Sequence, residues 1–243
     1  MPRRLIRVSG ADHVSFLQGL ITNDMAKLAD GLVYAAILTP QGKYLADFFV
    51  VPDGDGVLID VDAGLADGLA QRLMMYKLRA DVALDWDERK VAQGVGEAPA
   101  GAFADPRHPS LGWRAYGDED LALEDWDARR VAAIVPEFGA ELGPDSYILE
   151  MGFERLNGVD FKKGCYVGQE VTARMKHKTE LRKGLAKVSI EGHAEAGTPI
   201  TVGDKEAGTL HSVVGNEGLA YVRFDRMTEA AQADGTPVTV LER

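Results

Sequence analysis

Cysteine is nearly absent from this chain: Cys165 is the one thiol among 243 residues. No internal disulfide can form, which agrees with a reducing compartment. Long apolar runs are missing too, and no segment approaches the ~20 residues of a membrane span. The opening "MPRRLIRVSGADHVSF" has arginines but no continuous apolar stretch behind them. These absences lead us to expect a cytoplasmic protein without a membrane anchor. Basic charge is in deficit, with 27 Lys and Arg against 38 Asp and Glu and a net charge of −11. That excludes a protein that coats DNA or RNA nonspecifically. There is no P-loop, no HExxH and no CxxC, and "GDGVLID" lacks the third glycine of a dinucleotide-binding turn. His13, His108, His177, His193 and His211 lie too far apart in sequence to suggest a metal site, and none is expected.

What is present is enough apolar residue, 46%, to bury a substantial core. "ADHVSFLQGLITND" spaces Val14, Leu17, Leu20 and Ile21 as an amphipathic helix, with Asp12 as its N-cap. "VYAAIL", "YLADFFVV" and "VLIDV" are short β-rich runs separated by "TPQGK" and "PDGDG", which predicts hairpins. "AGLADGLAQRLMMYKLRAD" returns to helical spacing, and "VALDW" resumes as a strand. A Pro-, Gly- and Ala-rich middle from Glu97 to Trp113 marks a subdomain boundary, followed by a helix in "EDWDARRVAAIV" stopped by Pro136. After Lys183 nearly every run reads as strand, which predicts a small β-barrel. The fold class is therefore α+β with mainly antiparallel sheet. We expect residues 1–182 to form an α+β region of two interleaved subdomains and residues 183–243 to form the barrel.

The segment from Lys162 to Lys183 departs from the acidic background, with seven basic side chains against two acidic ones. It reads either as a solvated helix face or as an anion site. It also contains "KKGCYVGQE". A helix opening near Gly168 would put Cys165 just before a helix N-terminus, with Lys163 close by, a setting that favours thiolate. The competing reading is a buried cysteine acting as a small hydrophobe. Local chemistry leaves both open.

"NGVDFKKGCYVGQEVTAR" resembles the signature of the YgfZ family, folate-binding relatives of the glycine cleavage system T protein. "FLQGLITND", "LTPQGKYLADF" and "YKLRADV" are similar to other motifs of that family, in the same order. The resemblance implies a ring of three subdomains around a folate pocket, the last a β-barrel. It also implies tetrahydrofolate, including polyglutamylated forms, as cofactor, with iron–sulfur proteins or their assembly factors as partners and no stable binding of nucleic acid or membrane. The implied role is an accessory protein for assembly or repair of iron–sulfur clusters that supports tRNA modification indirectly. The alternative is a folate-dependent aminomethyl or other one-carbon transferase. Among site residues, "LEMGF" places Glu150 where the T protein holds its pterin. Asp47 takes the folate side of the Gly-turn strand, although Ala46 stands where the T protein has a second acid. Tyr166, Gln169 and Arg174 complete the implied cofactor set. Cys165, tuned by Lys163, is the implied reactive group, alongside Asp47. A single thiolate cannot hold a cluster, which takes about four ligands, so Cys165 serves as one transient ligand or as a redox thiol.

Overall fold

The computed structural model describes residues 2–177, 181–228 and 230–243. Two compact units divide the chain, one of Met1–Glu124 with Glu154–Ala173 and one of Asp125–Phe153 with Arg174–Arg243.

In the first unit, β1 (Arg3–Ser9), β2 (Val33–Leu38), β3 (Tyr44–Asp53), β4 (Gly56–Asp62) and β5 (Ala83–Asp87) pair antiparallel in the order β2-β3-β4-β1-β5. Side chains alternate across a strand, and the sequence obeys that period. Val33, Ala35 and Ile37 share one buried apolar cluster with Ala46, Phe48 and Val50 and with Val57, Ile59 and Val61. Leu17 of α1 (His13–Gln18) and Ala66, Leu69 and Leu73 of α2 (Ala63–Lys77) close that cluster. The Asp62 carboxylate caps α2 by accepting the Gly64 amide at 2.8 Å. α1 is shorter than its apolar spacing predicts. Asp12 does not cap it, and its carboxylate instead accepts the Asp81 amide at 2.8 Å.

The intervening positions of the strands, among them Tyr34, Asp47, Phe49 and Asp60, belong to the opposite face. Here a second, three-stranded sheet of β6 (Lys90–Gly94), β7 (Phe103–Ala104) and β8 (Trp113–Gly117) contributes charge. Asp60 is completely buried and takes Arg3 Nε at 2.6 Å, Arg114 Nη2 at 2.9 Å and the Tyr116 hydroxyl at 3.0 Å. Burial pushes its carboxyl up, but Arg3 and Arg114 outweigh it and hold the group at about 2. The Arg107 and Arg114 guanidiniums lie 4.8 and 4.2 Å from the Phe49 ring centre. The Pro- and Gly-rich middle thus contributes β7 to an ordered polar layer.

In the second unit α3 (Trp126–Ala132) stops before Pro136, with Ile134 at φ 52°. α4 (Gln169–His177) starts in the first unit and ends in the second. The strands β9 (Lys183–Ile190), β10 (Pro199–Val202), β11 (Lys205–Val214), β12 (Glu217–Arg223), β13 (Ala231–Ala233) and β14 (Thr236–Glu242) form a closed barrel, ordered β10-β11-β12-β9-β14-β13. Val188, Ile200, Leu210, Val222 and Val238 fill it. Arg130 ties α3 to β11, donating to Glu141 Oε2 at 2.9 Å and to Ser212 Oγ at 2.7 Å, while Ser212 Oγ donates to the other Glu141 oxygen. The fold class is the expected α+β with a C-terminal barrel. Among the described residues no helix is long and apolar enough to cross a membrane.

Candidate functional site

The cysteine segment is assembled from three stretches far apart in sequence. From one side comes "ITND": Thr22 Oγ1 donates to Gly158 O at 2.6 Å, and Asn23 Nδ2 donates to Asn157 O at 2.7 Å. Asp160 answers with its own carboxylate. Its Oδ1 accepts the amides of Lys162 and Lys163 at 2.7 and 3.1 Å, and its Oδ2 pairs with Lys27 Nζ at 2.7 Å. From the other side comes "LTPQGK". Gly168 sits at φ 84°, and a Cβ there would lie 2.6 Å from Thr39 O and 2.9 Å from Leu38 Cβ. Only glycine fits both the conformation and the space.

Between these anchors Cys165 is exposed. The reading of a buried cysteine is therefore not the one the fold adopts, and the helix begins as expected, at Gln169. Lys163 has partners the sequence did not suggest. It is 6% exposed, and its Nζ donates to the carbonyls of Gln18 at 2.7 Å and Ile21 at 2.5 Å. Burial pulls its ammonium down to about 8, against upward pulls from Asp24 and Asp160. Tyr166 is buried, with Lys163 Nζ 5.0 Å from its ring centre. Gln169 is half-buried and Arg174 exposed. Lys178, Thr179 and Glu180, part of the basic segment, lie outside the described residues.

Asp47 belongs to the same unit, on the polar face of β3. It accepts the Tyr34 hydroxyl at 2.9 Å and the Tyr44 hydroxyl at 2.6 Å. Burial, reinforced by the Asp47 charge, pushes both phenols up, so each stays a donor. Neither tyrosine was singled out from the sequence, although Tyr34 and Asp47 each alternate with core-facing neighbours. Ala46 is 3% exposed and belongs to the apolar cluster on the other face. An acid at 46 would face that core rather than stand beside Asp47.

Glu150 and Arg174 belong to the second unit. The buried Glu150 carboxylate accepts the Tyr221 hydroxyl at 2.5 Å and has Lys183 Nζ at 3.8 Å. Its main-chain oxygen accepts the Leu185 amide at 2.7 Å, fixing the "LEMGF" segment to β9. Burial first, then the bond to Glu150, pushes the Tyr221 phenol up. A carboxylate offers about four acceptor positions, so capacity remains for a further donor. Tyr221 is a residue the sequence did not reveal, because its partner is remote along the chain.

Comparison with known proteins adds identity. Residues 182–242 match the family model described as the CAF17 C-terminal beta-barrel domain. The mitochondrial iron–sulfur cluster assembly factor IBA57 homolog of Pyricularia oryzae is 31% identical over 290 residues, spanning 99% of this chain and 74% of that protein. Human mitochondrial IBA57 is 31% identical over 272 residues, spanning 93% and 76%. The crystal structure of glycine cleavage system aminomethyltransferase T from Bartonella henselae superposes with a TM-score of 0.76 over 99% of this chain and 83% of that one, at 13% identity. The fold is therefore T-protein-like. The IBA57 relatives are mitochondrial, which overturns the expectation of a cytoplasmic protein and points to mitochondria instead. Aligned with them over nearly its whole length, the chain belongs to the IBA57 family.

Proposed function

We propose that this protein is an accessory factor for the assembly or repair of iron–sulfur clusters in other enzymes, and that Cys165 is its working group. The observation that carries this reading is the exposed thiol on a loop anchored at one end by the buried Lys163 bond and at the other by the close packing of Gly168 on Thr39. An exposed, well-placed thiolate is a soft ligand suited to iron. A cluster needs about four ligands, so the cluster is cargo and the remaining ligands come from the donor or recipient. The family supports the role, since its members are named as iron–sulfur cluster assembly factors. The finer YgfZ-like assignment rests on "KKGCYVGQE", and support of tRNA modification would follow through cluster-dependent enzymes.

Tetrahydrofolate is the proposed small ligand. Glu150 fits it, because its remaining acceptor capacity suits the paired donors of a pterin edge. Arg174, in the same unit as Glu150, is proposed as a further contact. Bound folate would supply one-carbon chemistry, but Ala46 faces the apolar core and leaves Asp47 without a second acid, which disfavours aminomethyl transfer. The decisive experiment uses cells lacking their own family member. The wild-type protein restores cluster-dependent enzyme activity and Cys165→Ser, normally folded, restores it poorly. Full restoration by the serine variant would exclude the thiol from the function.

A further inference from the structure

Lys163 was expected to act on Cys165 through its charge, but its head group is spent elsewhere. A six-residue helix such as α1 leaves its last carbonyls without intrahelical donors. Lys163 supplies one of those donors from 145 residues away, to Gln18 O, and bonds Ile21 O as well. A cation at a helix C-terminus is also favoured by the direction of the backbone dipoles. The same ammonium lies over the buried Tyr166 ring. Lys163 therefore pins both the residue before the Gly164–Cys165 step and the residue after it. Gly168, packed on Thr39, pins the far end.

We propose that Lys163 is the positioning residue of the Cys165 loop: by bonding the Gln18 and Ile21 carbonyls it fixes the backbone that presents the thiol, rather than activating the thiol by its charge. This inference rests on the reading that Cys165 is the working group. On this view "FLQGLITND" and "KKGC" are two halves of one device, the first providing carbonyl acceptors at the end of α1 and the second the ammonium that fills them. Arginine, with a longer planar head, can still donate to two carbonyls, whereas methionine keeps the length and loses every donor.

The test compares wild type, Lys163→Met and Lys163→Arg by hydrogen exchange of the peptide spanning 160–170 and by the pH profile of Cys165 alkylation with iodoacetamide. Lys163→Met should accelerate exchange of the Lys162 and Lys163 amides, now held by Asp160, by about tenfold or more. The alkylation plateau should change and the midpoint of its pH profile should not. Lys163→Arg should recover most of the protection. A midpoint that rises in Lys163→Met with exchange unchanged would overturn the proposal in favour of charge tuning, and no change in either would make Lys163 a bystander. If Lys163→Met does not fold, Thr22→Val, which deletes the 2.6 Å bond to Gly158 O, should loosen the same peptide to a lesser degree. Unchanged exchange there would refute the two-motif clamp. Restoration of cluster enzymes by Cys165→Ser would sink the functional reading while leaving the clamp measurement standing.

Discussion

Replacing Asp60 by asparagine should strip the first unit of a large part of its stability, and the loss should depend on pH in a defined direction. Asp60 is fully buried between Arg3 and Arg114, and among the described residues Arg114 keeps Asp105, at 3.7 Å, as its alternative carboxylate. Removing one partner of a buried ion pair costs about 3 to 5 kcal/mol, because the remaining charge is left uncompensated. Against a typical total of about 5 to 15 kcal/mol, that is a large fraction. The carboxyl is held at about 2 rather than 3.8. At ~1.4 kcal/mol for each tenfold change in proton affinity, the wild type gains about 2.5 kcal/mol from this group. Since the folded value is depressed, that gain is complete above the unfolded value and is lost as pH falls from about 5 to about 2. Urea unfolding followed by the fluorescence of Trp86 and Trp113, both in the first unit, measures it, with Trp126 adding a signal common to both proteins. The gap between wild type and Asp60→Asn should be widest near neutrality and narrow on acidification. A gap below ~1 kcal/mol at neutral pH, or one that does not shrink in acid, would refute the reasoning.

Glu150→Ala should weaken tetrahydrofolate by about 1.5 to 3 kcal/mol, the scale of a hydrogen bond to a charged group, as read by calorimetric titration. Unchanged affinity would remove Glu150 from the pterin site. Gly168→Ala should destabilise the first unit by about 1 to 3 kcal/mol in urea unfolding, because the new Cβ meets Thr39 O and the positive φ is unfavourable for alanine. Wild-type stability in that variant would mean the turn is not an anchor.

Strand existence was legible because "VYAAIL" and "YLADFFVV" are short β-rich runs bounded by proline and glycine turns, a local signal, and the barrel was legible because its strands recur at short intervals between glycines. The period of a strand puts Ala46 and Asp47 on opposite faces, and the core claims the face of Ala46. Partnerships were not legible. Lys163 meets carbonyls 142 and 145 residues away, and Arg114 meets a carboxylate 54 residues away. Main-chain acceptors carry no residue identity, so no motif could have announced the Lys163 bonds. The α1 boundary failed for a related reason: helical spacing continues through Leu20 and Ile21, but the chain turns at Gly19 and those residues pack from the turn. Compartment failed outright, because composition and the scarcity of long apolar runs bear on anchoring rather than on destination.

That the single thiol is presented rather than packed away is tested most directly by the alkylation rate of Cys165 near neutral pH, measured in the folded protein and in urea-unfolded chain. The anchored, exposed loop predicts a folded-state rate within about tenfold of the unfolded one. Protection of about a hundredfold or more would contradict it and return Cys165 to the status of a core residue.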